Sequence, residues 1–274
     1  MITRFAPSPT GLLHLGHAYS ALTVWSHAQS LGGTALLRIE DTDSTRCRPE
    51  YEAAIYEDLG WLGLRWPDPV LRQSDHDDDY TRVLGTLATM GLLYPCSCSR
   101  KDIVAAGAKP GADGFVYPGT CRGRDLRGKK KGDALRLNLA KALARIEKPM
   151  RYEETGMKPG LYQVTEKALL KQIGDPVLQR KQSGDPAYHL ACVHDDMHQG
   201  ITHVVRGNDL RGMTPLHVLL QHLLGYRTPI YYHHGLVLDE AGNRLAKIEN
   251  AKAIAKYRAE GYSPADVRAM VGLK

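Results

Sequence analysis

The hand-over from a short apolar run at residues 2–7 to a helix-spaced run at 16–31 constrains this chain more than any other feature. Between the two lie the turn formers Ser8-Pro9-Thr10-Gly11 and the quartet His14-Leu15-Gly16-His17. Strand, loop and helix in that order open an α/β sheet, whose ligands bind at the carboxyl ends of the strands. The helix N-terminus offers free backbone NH groups and a positive dipole end to phosphate. Two imidazoles there suit the stabilisation of charge on a phosphate under attack, and Gly16 would let a nucleotide base approach the backbone. Taken alone, the quartet fits a capping or core role as readily.

The pattern repeats, with a buried strand expected at 34–40, a helix at 48–62 after an acidic turn and a helix at 80–93. Strands alternating with helices imply an α/β fold with a parallel sheet covered on both faces. Residues 94–185 break the pattern with a Cys-rich turn, many glycines and the run Lys129-Lys130-Lys131, which predicts an inserted domain. The α/β character returns in a helix at 187–198, a strand at 201–206 and a helix at 213–224. The expected organisation is residues 1–93 and 186–230 as two halves of one domain, 94–185 as the insert, and 231–274 as a loop segment with a short helical tail. A length of 274 residues with 43% hydrophobic composition suits one sizeable domain plus an insert. No run is apolar enough for a membrane span or signal peptide, so a cytoplasmic protein, taken as a monomer, is expected. Five unevenly spaced cysteines do not form a secreted disulfide framework. The net charge of +6 permits a phosphate-rich partner without requiring one.

The run Arg4-Phe5-Ala6-Pro7-Ser8-Pro9-Thr10-Gly11, followed by His14-Leu15-Gly16-His17, resembles the signature of class I aminoacyl-tRNA synthetases, specifically the glutamyl branch. The resemblance continues through Arg38-Ile39-Glu40-Asp41-Thr42-Asp43 and Thr202-His203-Val204-Val205-Arg206-Gly207. It implies a Rossmann-type catalytic domain in which His14, Gly16 and His17 meet ATP. It further implies that Arg4, Ala6 and Ser8 contact glutamate, that Glu40 accepts its ammonium, and that Tyr188 and Arg206 complete the pocket. Arginine forks would clamp the carboxylates in pairs. Lys247, in Arg244-Leu245-Ala246-Lys247, matches the family's pyrophosphate-stabilising loop lysine, with Ala246 departing from the usual serine. The aspartates Asp41, Asp43, Asp195 and Asp196 are read as caps and turn formers at element ends, not metal ligands. Mg²⁺ is expected to arrive with ATP.

Cys96, Cys98 and Cys121 suggest a structural zinc, which needs a fourth ligand, and no histidine lies between His76 and His189. Tyr117 becomes the fourth ligand by resemblance to small stand-alone relatives of the glutamyl synthetase catalytic domain. The chain's end soon after Lys247, where a full synthetase would continue with an anticodon-reading domain, resembles the same relatives. They imply a different acceptor, the cyclopentene hydroxyl of queuosine at the wobble position of tRNA(Asp). Lys129, Lys130 and Lys131, with Arg122, Arg124 and Arg127, form a basic stretch suited to RNA phosphates or simply to solvent. A truncated synthetase charging tRNA(Glu) and a silent RNA-binding paralogue are the competing readings.

Overall fold

The computed structural model describes residues 1–237 and 252–273, so Arg244, Leu245, Ala246 and Lys247 lie outside the described residues. Strand β1 (Ile2–Phe5) pairs in parallel with β2 (Thr34–Ile39), and helix α1 (Leu15–Ser30) crosses between them. Helix α1 buries Ala18, Ala21, Leu22, Val24 and Ala28, the helical spacing that predicts an inward face. Helix α2 (Pro49–Trp61) starts with proline in its first turn beside Glu50 and Glu52, and it leads to β3 (Leu71–Arg72), parallel to β2.

Helix α3 spans Asp77–Thr89, not 80–93. Its first turn is built from Asp77, Asp78 and Asp79, whose charges suit a helix N-terminus, and Gly91 at φ 71 turns the chain into β4 (Leu93–Cys96). There follow α4 (Arg100–Ala105), the small hairpin β5 (Pro110–Gly111) and β6 (Gly114–Phe115), β7 (Ala134–Leu137), and α5 (Leu139–Leu143). Next come β8 (Arg151–Glu154), β9 (Gly160–Gln163), α6 (Glu166–Ala168) and β10 (Val177–Gln179). Strands β4, β7 and β10 make an antiparallel sheet in the order β10-β7-β4. Strand β8 instead leaves the 94–185 segment to pair in parallel with β12, carrying β9 along.

Helix α7 (Tyr188–His198), β11 (His203–Gly207), α8 (Thr214–Leu224) and β12 (Ile230–His234) form the second half. The groups β3-β2-β1 and β11-β12-β8-β9 meet where Thr202 N donates to Ile2 O at 2.9 Å. Alternate residues of β11 serve opposite faces, with Val204 in the core beside α3, α7 and α8 and Val205 in the core beside α1 and α2. Helices α9 (Ile254–Ala259) and α10 (Pro264–Met270) seal the second core with Ile254 and Val267. The helices after β1 and β11 connect to strands on opposite sides, so a crevice opens between those two strand ends. Among the described residues no helix is long and apolar enough to cross a membrane.

Candidate active site

Helix α1 begins at this crevice. His14 is its N-cap, accepting from Gly16 N on Nδ1 at 3.0 Å, and His17 Nδ1 accepts from His14 N at 3.2 Å. Both Nδ1 atoms therefore act as acceptors, which puts each proton on Nε2. Burial lowers both pKa values, and with His14 alongside, that of His17 falls to about 3. The rings, 3.9 Å apart between centroids, are neutral N–H donors and not imidazolium ions. The capping role and a phosphate-facing role are thus compatible, because they use different nitrogens. A Cβ on Gly16 would sit 2.9 Å from His14 Cε1, so glycine is needed to keep the cap ring in place.

His14, Gly16 and His17 line a cavity of about 240 Å³ together with Ser20, Gly207, Leu210, His234 and Val237. Val237 is in its wall, and Ala253 bridges to His14 while Ile254 N donates to Leu13 O at 2.8 Å.

A second cavity, of about 340 Å³, brings together all six residues expected at the amino acid: Arg4, Ala6, Ser8, Glu40, Tyr188 and Arg206. They come from the ends of β1, β2 and β11 and the start of α7. Ser20, Gly207 and Leu210 belong to both cavities, so the two adjoin. Beneath lies a buried charge cluster. Arg38, fully buried, donates to Asp196 Oδ1 at 2.8 Å, to Gln199 Oε1 at 3.0 Å and to Glu40 Oε1 at 3.1 Å. Arg4 donates from Nε and Nη2 to the two oxygens of Asp196 at 2.7 and 3.2 Å. Burial works against both guanidinium charges, but the neighbouring Asp196 raises their pKa values. Burial also raises the Glu40 carboxyl, with Arg38 and Arg4 pulling the other way.

Two expectations change here. Asp195 and Asp196 are not caps: they sit inside α7, buried, as counterions, with Asp195 held by Tyr80 Oη at 2.9 Å and Gln73 Nε2 at 2.6 Å. Paired clamping by arginine forks is also not available, because the Nε/Nη2 edge of Arg4 is spent on Asp196. Arg206 donates to His233 Nε2, His217 Nδ1, Thr214 Oγ1 and Leu210 O, leaving one N–H on Nη1. Each arginine offers a substrate hydrogens on Nη1, and Arg206, held by neutral groups, offers its charge as well.

Comparison with known proteins agrees with this geometry. The family described as tRNA synthetases class I (E and Q), catalytic domain, matches residues 1–274. The glutamyl-Q tRNA(Asp) synthetase of Rhodobacter capsulatus is 50% identical over 100% of both chains. The chain belongs to the glutamyl-Q tRNA(Asp) synthetase family. That of Nitratidesulfovibrio vulgaris is 40% identical, over 96% of this chain and 83% of the relative. A glutamate tRNA ligase from Elizabethkingia meningosepticum, solved in complex with its amino acid, superposes with a TM-score of 0.75 at 27% identity over 99% of this chain. The chain spans 60% of the length of that ligase. Mycobacterium tuberculosis methionyl-tRNA synthetase, at 11% identity and a TM-score of 0.62, shares the fold.

In this glutamyl-Q family member the cysteines converge as their spacing suggested. Cys98 Sγ lies 3.6 Å from Cys121 Sγ, and Tyr117 Oη lies 3.4 Å from the sulfurs of both Cys96 and Cys98. Cys96, Cys98 and Cys121 are the one group of three among the described residues whose ligand atoms gather closely enough to hold a metal ion. The backbone N–H of Cys121 donates to Tyr117 Oη at 2.8 Å, which orients the phenol oxygen toward the sulfurs. The basic stretch is less free than its composition implies. Arg122 pairs with Asp175 at 2.7 Å, Arg124 with Asp133 at 2.7 Å and Arg127 with Asp125 at 3.1 Å. The lysines make no ion pair among the described residues, and Lys129 Nζ donates to Gln179 Oε1 at 2.7 Å. Sequence reasoning missed Ser20, which bridges the two cavities and hydrogen bonds His234 Nε2 at 3.1 Å. Nothing in a lone serine inside α1 signals that position.

Proposed function

We propose that the chain activates glutamate with ATP as glutamyl-adenylate and passes the glutamyl group to queuosine at the wobble position of tRNA(Asp). The observation that supports this most directly is the shared wall of the two cavities. A carboxylate held among Arg4, Glu40, Tyr188 and Arg206 lies beside the neutral N–H donors of His14 and His17 at a helix N-terminus. In the first step an α-carboxylate oxygen attacks the α-phosphorus of ATP, and the bond to the β-phosphate breaks. The Nε2 protons of His14 and His17 stabilise the added charge, Lys247 meets the departing pyrophosphate, and Mg²⁺ enters bound to the phosphates. Ala6 and Ser8 shape the pocket, Glu40 takes the ammonium, and the Nη1 groups of Arg4 and Arg206 face carboxylates. In the second step a queuosine ring hydroxyl attacks the acyl carbon, AMP leaves, and the hydroxyl proton is released. An adenylate is activated enough that positioning carries this step.

The 94–185 segment acts as the acceptor-side domain, with Lys129, Lys130 and Lys131 near RNA phosphates, in a monomer working in the cytoplasm. Its fold is stabilised by zinc on Cys96, Cys98, Cys121 and Tyr117. Tetrahedral metal–sulfur bonds of about 2.3 Å require sulfurs about 3.8 Å apart, close to the 3.6 Å between the sulfurs of Cys98 and Cys121. Purified protein should therefore carry one zinc per chain by elemental analysis. Cys98→Ser should lose it and lower the melting temperature by about 5 °C or more; a metal-free wild type would end the zinc assignment.

The test of the activity is ATP-dependent attachment of labelled glutamate to tRNA(Asp) with and without queuosine, alongside tRNA(Glu). Label confined to queuosine-containing tRNA(Asp) is the expected result. Label on tRNA(Glu) would instead identify a charging enzyme, and no label on any of the three would indicate a silent paralogue.

A further inference from the structure

Arg4 and Arg206 face the same cavity but are held in opposite ways. Arg4 is neutralised by Asp196, whereas Arg206, equally buried, has neutral groups at all four of its occupied N–H positions. Among the described residues no carboxylate lies within ion-pair distance of Arg206. A guanidinium only donates, so the contacts fix the tautomers of both histidines that touch it. His217 receives Arg206 Nη1 on Nδ1 at 3.2 Å, so its proton is on Nε2, which donates to His189 Nδ1 at 2.9 Å. His189 must then carry its proton on Nε2, which faces Asp113 Oδ2 at 3.4 Å. On the other side His233 receives Arg206 Nε on Nε2 at 3.1 Å and donates its Nδ1–H to the buried Glu154.

The hydrogen bonds thus run outward from Arg206 in both directions, and both carboxylates are kept one or two imidazoles away. Protonation of His217 or His233 would destroy an acceptor, and their surroundings oppose it. Burial, with Arg206 next in effect, lowers the pKa of His217 well below the ordinary value and that of His233 to about 4.

We propose that His217 is a positioning residue for substrate selection: as a neutral acceptor it holds the Nη1 end of Arg206, the end that also meets the substrate, while leaving its charge unneutralised for the substrate's carboxylate. An acidic residue in its place would orient the arginine equally well but cancel the charge that distinguishes glutamate from glutamine. This rests on the cavity being the glutamate site.

The test is glutamate-dependent exchange of pyrophosphate into ATP by the full chain, with glutamine as a competitor. His217→Leu should raise the glutamate KM about tenfold or more while leaving the ATP KM and the glutamine inhibition constant within about twofold. His217→Asn places an acceptor oxygen where Nδ1 lies and should return the glutamate KM to within about threefold of wild type. His217→Gln, whose acceptor falls nearer the Nε2 position, should behave like the leucine variant, and the Asn/Gln contrast decides the matter if His217→Leu does not fold. An unchanged glutamate KM in His217→Leu, or equal defects in the Asn and Gln variants, overturns the proposal. Arg206→Leu separates the two levels. Loss of glutamate saturation there, with a silent His217→Leu, rejects the His217 role alone, whereas an unchanged glutamate KM in Arg206→Leu rejects the glutamate cavity itself.

Discussion

Arg38→Met is expected to cost about 3–5 kcal/mol of folding stability, the usual result of removing one partner from a buried ionic cluster. Arg38 is fully buried, and its loss would leave Glu40, Asp195 and Asp196 with Arg4 as the remaining cation of the cluster. The deficit should depend on pH in a definite direction. In the wild type burial works to raise the Asp196 pKa, but Arg4 and Arg38 hold it below its ordinary value. That pairing contributes stability present above the unfolded pKa and lost as pH falls through the lower folded value. Glu40 has the opposite sign, because burial raises its folded pKa, so its contribution is present at low pH and lost as pH rises. Without Arg38 both carboxyls shift upward, protonation relieves the variant, and the gap from wild type should narrow between pH 7.5 and pH 5. Urea unfolding at both pH values measures it. A gap that stays constant would mean that Arg38 stabilises by packing alone, and one below about 1 kcal/mol would remove it from the framework of the site.

His17→Asn is expected to lower the rate of glutamate-dependent pyrophosphate exchange about 10²-fold, the usual effect of removing one donor to a transition-state anion. The substitution separates the two nitrogens of the ring. Asn Oδ1 can replace Nδ1 as acceptor for His14 N, preserving the cap, but has nothing in place of the Nε2 proton. Stability at neutral pH should therefore change by less than about 1 kcal/mol. In acid the variant should be the more resistant protein. Burial depresses the wild-type His17 pKa to about 3, so below an unfolded value near 6.5 the unfolded chain takes up the proton first. The penalty grows from pH 6.5 down to pH 3, and asparagine does not titrate. An exchange rate within threefold of wild type would leave His17 a capping residue only.

The alternation of apolar residues placed β1, α1, β2 and α2 to within a residue or two, because each is a local pattern buried on one side. The end of α3 was misplaced because Leu92 and Leu93 extend a helical spacing while Gly91, at positive φ, stops the helix. Strands β8 and β9 were hidden for another reason. In β8 the buried positions alternate with exposed Arg151 and Glu153, but one of them is the charged Glu154, and β9 is exposed along most of its length. Strand β8 pairs with β12, far along the chain, and β9 pairs with β8, so the segment carries little apolar periodicity of its own. At the site, the resemblance of Arg4, Ala6, Ser8, Glu40, Tyr188 and Arg206 to one family pointed to a single pocket, and one cavity brings them together.

The sequence by itself determined the strand–loop–helix opening, the two histidines at the start of a helix, the class of synthetase, and three cysteines near enough in the chain to meet. These depend on neighbours within a few turns, or on motifs kept whole. What each charge does was decided only by the tertiary structure. Arg4 and Asp196 are 192 residues apart and His233 and Glu154 are 79 apart, and no local pattern distinguishes a guanidinium that a carboxylate neutralises from one held by imidazoles. In a buried site that difference sets how much charge remains for a substrate, because water is not there to screen it.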